Sequence, residues 1–235
     1  MKTLCRSLLL VLIVSLSLAS VGAQKKHQNK KASPPTPPAC SQGTAYRDCP
    51  ACGTATSQKG IDLDVLKNRD NKATAPDTIT VADLARGSND SAFPANKQVS
   101  VTGYVATVVS GGMPENCNCG RNDLRDIHIN IVTNPSEAND QSKYVVVEFT
   151  PRWEKNFGLD DSNYQKMLAA VRKDIQGKWI KFDGWTLYDS FHENASKSTN
   201  PNQKTCTVPN EKKCNWRATP WEVHPVTAYT KVSAP

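Results

Sequence analysis

Three histidines stand close to a carboxylate: Asp126-x-His128, Asp189-x-x-His192 and Glu222-x-His224. Residues two apart on a strand point to the same face, so Asp126 and His128 project together, as do Glu222 and His224. Glu148 is an acid inside the apolar run Tyr144–Phe149 (YVVVEF). Neutral imidazole and carboxylate are ligands for zinc and other divalent ions, and two or three histidines with one acid leave a position for water. A zinc ion there would lower the pKa of its bound water and permit hydrolysis. The candidate ligands are His128, Glu148, His192, Glu222 and His224, with Asp126 and Asp189 orienting them. The same pairs also serve as ordinary structural hydrogen bonds, so the sequence favours a binding module over an enzyme and names no catalytic residue.

The elements that must position these side chains follow from the apolar pattern. Val99–Val109 (VSVTGYVATVV) is β-branched and carries one glycine, as a bent strand does. Asp126–Val132 alternates, with Ile127, Ile129 and Ile131 on one face and Asp126, His128 and Asn130 on the other. Tyr144–Phe149 is a third strand, stopped by Pro151. Asp161–Ile175 has helical spacing, with Tyr164, Met167, Leu168, Val171 and Ile175 on one stripe. Lys178–Leu187 and Trp221–Val232 supply two more strands, with Pro225 marking a bulge or an edge. Residues 57–96 read as a loop-rich lead-in with one short helix near 80–86.

Three strands, a helix and two strands make a mainly β chain whose order resembles the OB-fold, a five-stranded Greek-key barrel. Gly103 and Gly184 suit its tight bends. The resemblance implies that the second strand lies beside the third and the third beside the fifth, which would gather the histidines and acids into one patch. The ending Trp216-Arg217-Ala218-Thr219-Pro220-Trp221-Glu222-Val223-His224-Pro225-Val226-Thr227, with the Asp-x-His strand and Gly184-Trp185…Asp189, resembles that of a group of uncharacterised exported bacterial proteins. It implies a family and no activity. An OB-like barrel could also take an oligosaccharide, a peptide or a nucleic acid through Arg152, Trp153, Trp185, Trp216 and Arg217.

Charge bears on that choice. The chain of 235 residues carries 29 Lys+Arg, 22 Asp+Glu and a net +7. Residues 1–39 hold six of the bases and no acid, so residues 40–235 have a net of +1. Nucleic-acid binding draws on Lys and Arg contacts to phosphate, and the barrel offers little excess for it. Residues 1–23 read as a signal peptide: Lys2 and Arg6, an apolar run over Leu8–Leu18, then Val21-Gly22-Ala23. Residues 24–39 are a basic, Pro-rich, disordered linker. The Cys-containing lead-in spans 40–96 and the barrel domain 97–235. Nothing after the signal is apolar enough to span a membrane, so the expected location is secreted or periplasmic.

Export implies disulfides. Cys206 and Cys214 bracket a short loop and form the expected pair. Cys117 and Cys119 are too close to pair together, and at least one reaches back to Cys40, Cys49 or Cys52. Cys49-Pro50-Ala51-Cys52 has redox spacing without the usual strand and helix, and a zinc knuckle on Cys40, Cys49 and Cys52 lacks an obvious fourth ligand unless Cys117 or Cys119 provides it. With Cys5 in the signal, seven cysteines remain, so one thiol is free or forms an intermolecular disulfide.

Overall fold

A computed structural model describes residues 43–235, except 95, 113–114, 160–161 and 209–210. The expected signal, the linker and Cys40 lie outside the described residues.

The barrel is built from β2 (Gln98–Ser110), β3 (Ile127–Val132), β4 (Val145–Phe149), β5 (Trp179–Tyr188) and β6 (Trp221–Lys231). Strand order is β2-β3-β4-β6-β5, and β5 pairs back onto β2 to close it. Every neighbour is antiparallel except β4 with β6, which run parallel. A helix, α3 (Tyr164–Ile175), lies between the third and fourth barrel strands. This is the expected OB-like Greek-key barrel, and each strand begins and ends within two residues of its predicted bounds. A short strand ahead of the barrel, β1 (Asp77–Thr80), adds to the start of β2 in parallel.

β2 can serve several neighbours because it bends. Its first half pairs with β5 and β1, its second half with β3. At the bend, a Cβ on Gly103 would stand 2.9 Å from Ile131 Cβ. Gly184 is tighter still: a Cβ there would meet Pro225 O at 2.5 Å, where the β5–β6 register shifts. Pro225 therefore sits within a bulge of β6, which spares the ladder the hydrogen bond that proline cannot donate.

The inner face of the barrel is the apolar core. Val99, Val101, Val105, Ile127, Ile129, Ile131, Val145, Val147, Phe149, Phe182 and Val223 are all fully buried. α3 lays Met167, Leu168, Val171 and Ile175 against this core, and the Asn163 side chain caps its first turn.

The lead-in differs from expectation in one respect. Besides the predicted short helix, found as α2 (Val81–Ala85) with a Thr80–Asp83 capping box, it contains α1 (Gln58–Lys67). Ser57 caps α1 by accepting from Gly60 N. Its buried residues include Asp64 and Lys67 beside Ile61 and Leu63, so its hidden face is not an apolar stripe. Periodicity cannot find such a helix.

One disulfide staples the lead-in to the β2–β3 connection, and another closes a loop between β5 and β6. Cys49 bonds Cys119 across 70 residues, and Cys206 bonds Cys214 across eight. Cys52 is disulfide-bonded as well, so neither cysteine of the Cys-x-x-Cys motif offers a thiolate and the motif does not pair within itself. Cys117 is the free thiol among the described residues. It is only 2% exposed, so of the two alternatives for an odd thiol, free or intermolecular, Cys117 is a free and buried one. Among the described residues, no helix is long and apolar enough to cross a membrane.

Candidate functional site

The outer face of β3, β4 and β6 carries the alternate residues of the same strands. His128 stands directly opposite Glu148, and parallel pairing sets Val146 beside Glu222 and Val147 beside Val223. With His224 two residues beyond Glu222, the register brings His128, Glu148, Glu222 and His224 onto one face. An outer face would ordinarily meet water. Here it is roofed, and these four residues are between 0 and 6% exposed.

Three segments make the roof. α1 supplies Lys67, whose Nζ lies 2.9 Å from Glu115 and 3.0 Å from Asp189. The connection from β2 to β3 supplies Glu115, Cys117 and Asp126. It is held by the Cys49–Cys119 bond, by Asn68 Nδ2 donating to Cys117 O at 2.6 Å and by Tyr164 OH donating to Asp126 O at 2.9 Å. The connection from β5 to β6 supplies Asp189, His192 and Arg217. His192 Nδ1 is 3.1 Å from Asp189 Oδ2, and Arg217 bonds Glu222 Oε1 and Thr219 O at 2.7 Å each.

Within this layer, ligand atoms of Asp126, Glu148 and His224 all lie within 4.8 Å of one another. Glu148 is the hub. Its Oε1 is 3.3 Å from His128 Nε2 and its Oε2 3.2 Å from His224 Nδ1. Neither contact is a hydrogen bond, since His128 Nε2 and Glu148 Oε2 are left without a partner. His224 Nδ1 bonds Glu222 Oε2 at 3.3 Å, while its Nε2 is also unpartnered. The oxygens of Asp126 find no hydrogen bond of good geometry, although the Asn118 side chain lies beside them. Two further groups meet the same 4.8 Å spacing: Glu115–Cys117–Asp126 and Asp189–His192–Glu222. Cys206, Glu211 and Cys214 also cluster, but their two sulfurs are spent on each other.

The electrostatics divide the carboxylates into two sets. Burial drives the Glu148 carboxyl well above its usual range, reinforced by Glu222 and Asp126. Burial likewise raises Asp126 to about 6 and Asp64 to about 7. In the second set burial also pushes upward but is outweighed. Lys67 holds Glu115 at about 2, Arg217 with His224 holds Glu222 at about 2, and Lys67 with His192 keeps Asp189 well below the carboxylate range. For His128, burial lowers the pKa to about 4, so its ring is neutral near pH 7 and keeps a lone pair.

The other sequence candidates are engaged in holding the fold. Arg152 bonds Asn68 Oδ1, Thr44 O and Cys49 O, tying the lead-in to the end of β4. Trp153 Nε1 donates to Arg69 O and Trp185 Nε1 to Asn71 O, gripping the segment after α1. Trp216 packs edge-on against His192, with the Arg217 guanidinium over its ring. Sequence reasoning missed Lys67, Glu115 and Cys117 as neighbours of the histidines. They come from the lead-in and the β2–β3 connection, where no periodicity marks a buried face. Asp126 and Asp189, expected only to orient ligands, themselves lie in the ligand-spaced groups.

No family model matches the chain. A stretch of 102 residues is 28% identical to the pre-mRNA-splicing factor CLF1 of Candida albicans, covering 40% of this chain. The match spans 15% of that protein's length.

Proposed function

We propose that the protein is an exported barrel module that binds a divalent cation, with Asp126, Glu148 and His224 as ligands and His128 completing the set. The carrying observation is the contact between Glu148 and His128, set where Asp126, Glu148 and His224 offer ligand atoms within 4.8 Å of one another. Ligands about 2.1 Å from a tetrahedral zinc are separated by about 3.4 Å along each edge. The 3.3 Å separation of Glu148 Oε1 from His128 Nε2 matches that edge. The Glu148–His128 contact fails as a hydrogen bond, as expected of lone pairs directed at a third body, while His224 Nδ1 is engaged by Glu222 and leaves its unpartnered Nε2 as the nitrogen for an ion.

Charge supports the same reading. The layer contains the carboxylates of Asp64, Glu115, Asp126, Glu148, Asp189 and Glu222 around the cations Lys67 and Arg217. Buried charges need partners, and a surplus of acid is met either by protons or by a cation. Asp126 and Glu148, two of the three carboxyls with raised pKa, lie beside the histidines, where the cation would replace the proton. Near-complete burial gives the ion a caged, stabilising role, and a substrate would have to part the roof to reach it. Since Arg152, Trp153, Trp185, Trp216 and Arg217 are occupied within the fold, a cation suits the domain better than an oligosaccharide, peptide or nucleic acid. Disulfides across the lead-in and the β5–β6 connection, with the signal-like residues 1–23, suit an oxidising compartment.

The test is metal analysis of the purified protein, followed by chelation and re-addition of zinc during thermal unfolding. Zinc at about a hundred times its Kd should add about 2.7 kcal/mol to stability. The gain should vanish in His224→Ala and weaken in His128→Ala. Wild-type protein that carries no metal and gains no stability from zinc, cobalt or manganese overturns the proposal.

A further inference from the structure

The free thiol is the least explained group in the layer. Cys117 is 2% exposed, in a chain whose neighbouring Cys49 and Cys119 are oxidised to a disulfide. Its surroundings are acidic rather than apolar. Its Sγ lies 3.4 Å from Glu115 Oε2, and ligand atoms of Glu115, Cys117 and Asp126 lie within 4.8 Å of one another. Asp126 belongs both to this group and to the one with Glu148 and His224. It is 3% exposed, and neither of its oxygens finds a good hydrogen bond. A carboxylate with two idle oxygens between two ligand-spaced groups has the arrangement of a bridge.

Resting on the cation-binding reading above, we infer that the layer holds a second divalent ion of borderline-soft character, such as zinc, between Glu115, Cys117 and Asp126, with Asp126 bridging the two ions. A thiolate ligand selects zinc-like ions over magnesium or calcium, which prefer oxygen. Lys67, 2.9 Å from Glu115, opposes any cation placed there. The thiol offsets that repulsion, because Cys117 gives up its proton on binding metal and adds a negative charge. The carboxylate surplus of the layer also exceeds what one dication neutralises. Glu115, whose side chain is 24% exposed, is the most open member and the side from which an ion would arrive.

The experiment uses the full chain with its disulfides intact, freed of metal by a chelator and titrated with cobalt(II) or cadmium(II). Stoichiometry is read at equilibrium, together with the near-ultraviolet thiolate-to-metal charge-transfer band. The expected result is two equivalents, with the band growing alongside one of them. Cys117→Ser should keep one equivalent and lack the band, and His224→Ala should keep the band. Two equivalents without a band overturn the inference, as does a single equivalent with or without one. A single equivalent without the band that is lost in His224→Ala still leaves the first site standing. No binding at all removes both. Should Cys117→Ser fail to fold, the wild-type stoichiometry and band decide alone.

Discussion

On the inner face of β3, Ile127, Ile129 and Ile131 pack against valines and phenylalanines; on its outer face, His128 meets the Glu148 carboxyl and Asn130 the Thr107 hydroxyl. All five side chains are buried. The inner layer is held by the hydrophobic effect, at about 1.5–3 kcal/mol for each large apolar side chain removed from water. The outer layer works the other way. Each buried polar group left without a partner costs about 1–3 kcal/mol, and several are left so around Glu148 and Asp126. A region that costs stability and is still kept dry by a disulfide-held roof is better explained by what it binds than by what it stabilises.

The largest effects should come from breaking the outer layer's fixed ion pairs. Arg217 is fully buried and bonds the fully buried Glu222. Arg217→Ala leaves that carboxylate uncompensated and should cost about 3–5 kcal/mol in urea unfolding. A loss under about 1 kcal/mol would mean that water reaches the layer, and the distinction between the two faces would weaken.

The roof should cost almost as much to release. In the chain-entropy account, closing a loop of 70 residues contributes about 4 kcal/mol and a loop of eight about 2.5. Joint Cys49→Ala and Cys119→Ala substitution should therefore destabilise more than the same change at Cys206 and Cys214. It should also speed hydrogen exchange of residues 115–126 ahead of the barrel strands. Equal losses from the two disulfides, with uniform exchange, would show that the roof is not the separately stapled part.

A smaller effect is expected from pH. Burial raises Asp64 to about 7, against an ordinary value near 4. A carboxyl whose folded pKa is raised contributes stability that is present below its unfolded pKa and lost as pH rises through the folded one. Metal-free protein should therefore lose stability between about pH 4 and pH 7, and Asp64→Asn should flatten that fall. Glu115 and Glu222, both held near 2, act oppositely: their contribution is present above about pH 4.5 and is lost as pH falls toward 2. Denaturant midpoints at pH 5 and pH 8 separate the two trends. An Asp64→Asn protein with an unchanged slope would remove Asp64 from the layer's charge balance.

The contrast between faces also accounts for what could be read from the sequence. The barrel strands were legible because their inner residues are β-branched at a period of two. The Asp126-x-His128 and Glu222-x-His224 pairs were legible because that same period places each pair on one face. That His128 faces Glu148 is a matter of register, which the residues within a strand do not encode. α1 was hidden because its buried face includes Asp64 and Lys67, which a hydrophobic pattern counts as exposed. The tryptophans at 153 and 185 looked like stacking platforms because the sequence cannot show that their indole N–H groups already bond to backbone carbonyls.

The smallest expected change is also the sharpest, because it compares neighbouring residues of one strand. Ile129→Val removes one methylene from the fully buried inner face and should cost about 0.5–1.5 kcal/mol, with or without zinc. At His128 the sign should differ. His128→Leu replaces a buried, unpartnered ring nitrogen with apolar volume, so metal-free protein should be unchanged or slightly more stable. Its gain from zinc should shrink, because one ligand has gone. Chemical denaturation of both variants, each with chelator and with zinc, gives four numbers. If His128→Leu is as costly as an ordinary core truncation in the metal-free state and loses nothing in its zinc response, the outer face of β3 is a second structural core and holds no ligand.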